Sequence, residues 1–286
     1  MDYIYLFNFT SLLFFIIAAL ISQKAGMLAL FLEGCGVLGA LFNLMFYELT
    51  GSMVFSLVIA SLILGVMSGT VAWVTLKSKG NCMFSGLALN LVFTGLAGFL
   101  AKLFYGSHEI IYYNYDSELS VIIMILSFVL GTTLVGVIEY FFHETLHGIA
   151  FRLCGKDSEF LINEGYNVFG MKVFSWFASG FFASLAGILL SIQVDAYIPG
   201  LTSGRGWIAL IIIFLGLEDM VLSTFWAIII FGLQLVLSLF DISVYDENTG
   251  FSSLMISLPY VFCFVAFVII SVFRKLKNRN VKNKII

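Results

Sequence analysis

His143-Glu144-Thr145-Leu146-His147-Gly148-Ile149-Ala150-Phe151-Arg152-Leu153-Cys154-Gly155-Lys156-Asp157-Ser158-Glu159-Phe160 begins a polar stretch that runs on to Asn167-Val168 and parts two blocks of almost unbroken hydrophobic sequence. What lies on either side decides the fold. Of 286 residues, 61% are hydrophobic and 11% charged, and the mean hydropathy is +1.06. A soluble domain has no way to bury so much apolar surface, so the chain reads as a polytopic membrane protein. Two prolines and 31 phenylalanines, with no ten-residue alternation of the kind a membrane barrel needs, point to long helices. The fold class expected is all-α, a transmembrane helix bundle.

Working outward, the apolar runs fall at about 3–22, 27–47, 53–76, 83–104, 118–141, 171–192, 206–217, 221–240 and 253–273, which gives eight or nine spans. The run at 206–217 is too short to cross alone. With Pro199, Gly200, Gly204 and Gly206 near it, it is expected to be a broken or re-entrant helix. The first run is followed at once by others and reads as a span, not a cleaved signal peptide. Lys24, Lys77, Lys79, Arg152, Lys156, Lys172 and the tail Arg274, Lys275, Lys277, Arg279, Lys282, Lys284 fall on one side if the spans alternate. Glu48, Glu109, Asp116, Glu118, Asp195, Asp241, Asp246 and Glu247 fall on the other. The basic side is cytoplasmic, so the N-terminus is outside. Residues 1–286 are then one transmembrane domain, with a cytoplasmic loop at 142–170 and a basic cytoplasmic tail at 274–286. Cys35, Cys82, Cys154 and Cys263 are scattered, without a disulfide or metal-knuckle spacing.

Inside the spans, small residues recur: Gly65-x-x-x-Gly69, Ala183-x-x-x-Gly187, and Gly86, Asn90, Thr94 and Ala97 on one helical face. Small residues let helix backbones approach; Asn90 is also a candidate lining residue of a polar path. Glu33, within Leu32-Glu33-Gly34-Cys35-Gly36, is an intramembrane carboxylate. It is either a functional group of that path or a ligand for backbone amides freed where Gly34 and Gly36 break the helix. The aromatic loop 105–117 is expected to form a headgroup-level belt.

The spacing His143-Glu144-x-x-His147 is that of a zinc metallohydrolase. On one helix the two imidazoles share a face, with Glu144 as general base. The metal would need a third protein ligand. Among the candidates, His108 lies across the membrane, and Asp195, Glu218 and Asp219 carry no second motif.

Beyond His147 the pattern changes character. Thr145-Leu-His-Gly148-Ile-Ala-Phe-Arg152-Leu-Cys-Gly155-Lys-Asp-Ser-Glu159, continuing to Gly165-Tyr-Asn167-Val168, resembles the cytoplasmic loop of ABC-importer permeases. The closest group is the branched-chain amino acid, ribose and nucleoside uptake family. Its pattern T-x-x-G-x-x-x-R-A-V-G-E-N-P-x-A-A-x-x-A-G-I-N-V fits without a gap. Ser85-Gly86-Leu-Ala-Leu-Asn90-Leu, Ile21-Ser-Gln-Lys-Ala25-Gly26 with Leu32-Glu33-Gly34, and Thr202-Ser-Gly204-Arg205-Gly206-Trp-Ile208-Ala209-Leu210 are similar to further motifs of the family, in the same order. The fullest match is to nucleoside-type permeases.

The resemblance implies a permease subunit of an ABC importer in the prokaryotic inner membrane, not an enzyme. It implies ATPase coupling through Arg152, Gly155, Glu159 and Gly165, and a translocation pathway near Glu33, Asn90, Gly204, Arg205 and Gly206. A nucleoside is the expected solute, with a sugar or an amino acid as alternatives. The chain has no G-x-x-x-x-G-K-[ST] phosphate loop. No cofactor is expected on it; ATP and Mg belong to a partner ATPase. Expected partners are cytoplasmic ATP-binding subunits, a second homologous permease chain, an extracellular solute-binding protein or lipoprotein and the lipid bilayer, with no nucleic acid polymer. The competing function is a zinc-dependent intramembrane metalloprotease using His143, Glu144 and His147.

Overall fold

Ser175, Ser179, Ala183 and Gly187 recur every fourth residue in the segment after the polar stretch. A helix lines them up as a strip of small side chains against which other helices can come close. In the computed structural model, which describes residues 2–106, 110–113, 115, 117–243 and the positions 261, 265 and 268, that segment is helix α8 (Val168–Gln193). All four residues are buried.

Around α8 pack α1 (Asp2–Lys24), α2 (Leu32–Thr50) and α3 (Met53–Lys77). α1 runs antiparallel to it, fixed by hydroxyls of small residues: Ser179 Oγ donates to Ala18 O at 2.7 Å and Ser11 Oγ to Ala186 O at 2.9 Å. Ser68 of α3 donates to Trp176 O at 2.9 Å, and Gly65 and Gly69 lie against Phe177. α2 runs parallel to α8. Its Phe31, Cys35 and Gly39 meet Trp176, Gly180 and Ser184 in steps of four on both chains. Gly187 of α8 touches the Gly36 backbone of α2 so closely that a Cβ has no room. The small-residue strips are packing surfaces.

The outer shell consists of α4 (Cys82–Tyr105), α5 (Ser117–Glu144) and α10 (Met220–Ser243), with the short α9 (Arg205–Leu215) between α1 and α10. α2 and α8 are each about two-thirds buried, whereas α4 and α5 are about one-fifth buried. Leu91, Leu103, Ile122 and Leu126 are exposed on the outer faces, where lipid replaces protein. Five described helices (α2, α3, α4, α5 and α8) are long and apolar enough to cross a membrane, and α1, α9 and α10 contribute shorter apolar stretches. The expected all-α bundle is observed, and eight of the predicted runs correspond to helices; the run at 253–273 and the tail at 274–286 lie outside the described residues, apart from 261, 265 and 268.

The aromatic loop has two parts on the outer side. Tyr112 is exposed, as a headgroup belt needs, while its neighbours are tied into the bundle. β1 (Ile111–Tyr112) pairs antiparallel with β2 (Ala196–Tyr197), and Tyr113 N donates to Asp195 O at 3.1 Å. The buried Tyr115 hydroxyl accepts from Asn43 Nδ2 at 2.6 Å, and Asn43 Oδ1 accepts from Ser56 at 2.9 Å. The polar partners on α2 and α3 draw these rings inward, where a belt would leave them facing lipid. Burial pushes the Tyr113 and Tyr197 phenols up to about 12 and Tyr115 higher still.

Candidate transport site and its cytoplasmic loop

Two helices begin inside the bundle. After α1 ends at Lys24, residues 25–31 turn back into the core: Trp176 Nε1 donates to Met27 O at 2.7 Å, and Ala29 N donates to Ser22 Oγ at 3.1 Å. α2 therefore starts below the surface. Gly180, level with Cys35, lies about 18 Å along α8, which puts Glu33 about 15 Å from the Val168 end of that helix. That is near the middle of a hydrocarbon layer about 30 Å thick. From the opposite side, residues 198–204 dip inward and α9 starts at the same level. Its 11 residues rise only about 16 Å, half a crossing.

Glu33 sits where the two starts meet. Its Oε1 accepts from Thr202 Oγ1 at 2.5 Å and Gly204 N at 2.6 Å, and its Oε2 accepts from Gly206 N at 2.9 Å. Gly204, in the left-handed region at φ +80°, has no capping side chain of its own. Glu33 supplies that cap from another helix, and as the second residue of α2 it also lies at that helix's positive end. Two N-terminal dipoles thus offset one carboxylate, which is how an intramembrane charge is made tolerable. Asn90 of α4 stands beside it, its Oδ1 accepting from Gly34 N at 2.7 Å. Arg205 reaches Asn8 Oδ1 of α1 at 2.8 Å.

The structure thus gathers Glu33, Asn90, Gly204, Arg205 and Gly206 about one point. The second of the two roles weighed for Glu33 is observed, with a change: the amides it binds belong chiefly to α9, 171 residues away, and not to a break in its own helix. Sequence reasoning missed Thr202 and Asn8. Thr202 stands two residues before the Gly204-Arg205-Gly206 break, a place where a hydroxyl donor for a carboxylate is a reasonable guess.

The polar stretch folds as two short helices, α6 (Leu146–Lys156) and α7 (Ser158–Asn163). Thr145, Asp157 and Asn167 are each in position to cap the helix that follows. Their side chains accept from Gly148 N at 3.0 Å, Phe160 N at 3.1 Å and Gly170 N at 2.9 Å. The Thr145 cap overturns the metallohydrolase geometry. α5 ends at Glu144 and α6 begins at Leu146, so His143 and His147 lie on different helices and share no face. His143 meets Glu139 and Asp219. His147 lines a cavity of about 570 Å³ walled by Phe141, Phe142, Phe151, Phe174 and Phe182.

Of the four predicted coupling residues, Gly155, Glu159 and Gly165 are exposed, and Gly165 is in the left-handed region at φ +82°. Arg152 is partly buried, its Nε without a hydrogen-bond partner among the described residues. Gly155 is open to solvent on one side, and the side that would carry a Cβ is pressed on the α1–α2 turn. A Cβ there would lie 2.5 Å from Lys24 O and 2.8 Å from Gly26 N, and the neighbouring Cys154 Sγ approaches Ala25 O at 3.7 Å. α6 is therefore fastened to the turn that leads, seven residues later, to Glu33. On α7, Phe160 and Ile162 are exposed. Burial pushes the Cys154 thiol up against the opposing charge of Lys172.

A multi-helix membrane bundle in which a long helix and a half-helix both begin at mid-depth has the build of a transporter's membrane subunit. The chain belongs to the family described as branched-chain amino acid transport system / permease component, which matches residues 4–272. It is thus an ABC transporter permease and a multi-pass protein of the prokaryotic inner membrane. It is 26% identical over 208 residues to a putative glucose ABC transporter permease of Haloferax volcanii, covering 68% of this chain and 63% of that relative. It is 24% identical over 277 residues to a nucleoside ABC transporter permease of Lactococcus lactis, covering 90% of this chain and 87% of that protein. An uncharacterized protein of Mycoplasma pneumoniae is 26% identical over 235 residues, covering 74% of each chain. No solved structure matches.

Proposed function

We propose that the chain is the membrane-spanning subunit of an importer that moves a nucleoside inward, powered by ATP hydrolysed with Mg on separate subunits. The observation that carries the transport mechanism is the meeting of α2 and α9 at Glu33, joined through residues 25–31 to the cytoplasmic helix α6. Closure of an ATP-binding subunit pushes on α7 and α6, with Phe160, Ile162 and Glu159 as the exposed contacts. Because Gly155 rests on Lys24 and Gly26, that push reaches the α1–α2 turn and shifts the start of α2 against α9. The starts of α2 and α9, held by a few hydrogen bonds to one carboxylate, form the element with two arrangements that such coupling needs. A second copy of a homologous permease completes the passage, and an extracellular solute-binding protein delivers the solute.

Two points support an uncharged polar solute. Glu33, the carboxylate found at mid-depth among the described residues, is already satisfied by protein donors, and a relative matched along most of its length is a nucleoside permease. The test is uptake of labelled uridine, adenosine and glucose by vesicles holding this chain with its ATP-binding and solute-binding partners. ATP-dependent nucleoside uptake, abolished by Glu33→Ala, is expected; uptake of glucose alone would replace the nucleoside by a sugar, and transport unaffected by Glu33→Ala would remove the hinge.

A further inference from the structure

We propose that Glu139, His143 and Asp219 form a site for a divalent first-row transition-metal ion at the cytoplasmic end of the bundle, tying α5 to the α9–α10 turn. His143 Nε2 lies 3.0 Å from Glu139 Oε1 and 3.7 Å from Asp219 Oδ2, and the three donor atoms are all within 4.8 Å of one another. Ligands held about 2.1 Å from a common ion stand roughly 3.0–3.4 Å apart in octahedral or tetrahedral arrangement, so small rotamer adjustments bring the three to one centre.

The donors are placed by the fold. Glu139 and His143 are four residues apart on α5 and share a face. Asp219 uses its Oδ1 to cap α10, accepting from Leu222 N at 3.0 Å, which leaves Oδ2 turned to His143. Leu217 and Glu218, at φ 57° and 63°, make the turn that delivers Asp219. Glu218 is itself engaged by Gln23 Nε2 at 3.0 Å.

Chemistry favours a metal over a proton between these groups. Nε2 carries one proton at most and serves one carboxylate at a time, whereas an ion bound to its lone pair neutralises both. One imidazole and two carboxylates suit the ions from Mn²⁺ to Zn²⁺ better than all-oxygen Ca²⁺ and Mg²⁺ sites or thiolate sites. His143 is 41% exposed, and the carboxylates 24% and 29%, which leaves open positions for water. The site differs from the one the His-Glu-x-x-His spacing suggests, because His147 takes no part. A bound ion would fasten the cytoplasmic end of the half-helix α9 to α5 and restrain the movement proposed above, although its binding does not depend on that function.

The test is titration of the purified chain with Co²⁺, followed by visible absorption, then competition by Zn²⁺, Mg²⁺ and Ca²⁺. One Co²⁺ per chain is expected, displaced by Zn²⁺ alone. His143→Ala and Glu139→Gln should weaken it at least tenfold, since removing even a residue that only supports a ligand costs about that much. Asp219→Asn, which keeps the cap, should act alike, and His147→Ala should change nothing. Zn²⁺ should also raise the thermal midpoint of the wild type and not that of Glu139→Gln, a readout that a misfolded variant cannot mimic. No saturable Co²⁺ binding by the wild type, or binding that depends on His147 and not on His143, overturns the site.

Discussion

Glu33 shows how one residue settles the inner architecture. Its carboxylate takes three hydrogen bonds from the start of α9 and the turn before it, each charge-assisted. Glu33→Ala leaves those donors unpaired and should cost about 2–4 kcal/mol of stability. The expected readout is a lower thermal midpoint in detergent, with Glu33→Gln intermediate because it keeps acceptors but not the charge. The outer tyrosines make a second prediction. An exposed Tyr ionises near 10, whereas Tyr113 is held up to about 12. Below pH 10 the phenol is protonated in both the folded and unfolded states; between about 10 and 12 only the unfolded chain ionises, so stability is lost as pH rises through that window. Tyr113→Phe should make the loss shallower in an alkaline melting series.

Among the elements, α6 and α7 divide the coupling role between two faces. Gly155 looks inward at Lys24 and Gly26, and Phe160 and Ile162 look outward. Gly155→Val should therefore leave an ATP-binding subunit able to copurify while uptake falls, because the wedge separates α6 from the α1–α2 turn. Phe160→Ser should do the reverse, weakening copurification first. Similar loss of association in both variants would show that the two faces are not separate. Thr145→Ala removes the α6 cap, at a cost of about 1 kcal/mol. How much of this was legible in sequence differs by residue. Thr145, Asp157 and Asn167 cap amides three residues on, and such reach is local. The inward turn of Gly155 had no local sign, since its neighbours Lys24 and Gly26 lie some 130 residues earlier in the chain.

At the scale of the whole molecule, the alternation of helices sets which ends face which side. Cys82 opens α4, at the end that the basic residues assign to the cytoplasm, while Cys35 and Cys154 are buried. A membrane-impermeant maleimide should label Cys82 only from the cytoplasmic side, and Thr50→Cys in a Cys82→Ser background only from outside. Labelling of both from one side would refute the topology. The odd half-crossing of α9 keeps this alternation in step, as the short run at 206–217 and its glycines foretold.

By itself the sequence determined the helices and their approximate ends. In lipid the backbone must bond within each segment, so apolar length and caps within three or four residues suffice. Tertiary structure alone decided which distant groups meet: Glu33 with Gly204 and Gly206, Gly155 with Gly26, and His143 with Asp219 in place of His147. Those choices depend on how small-residue strips let helices approach across the bundle. A five-residue spacing carries no information about that approach once a single threonine has ended the helix between its histidines.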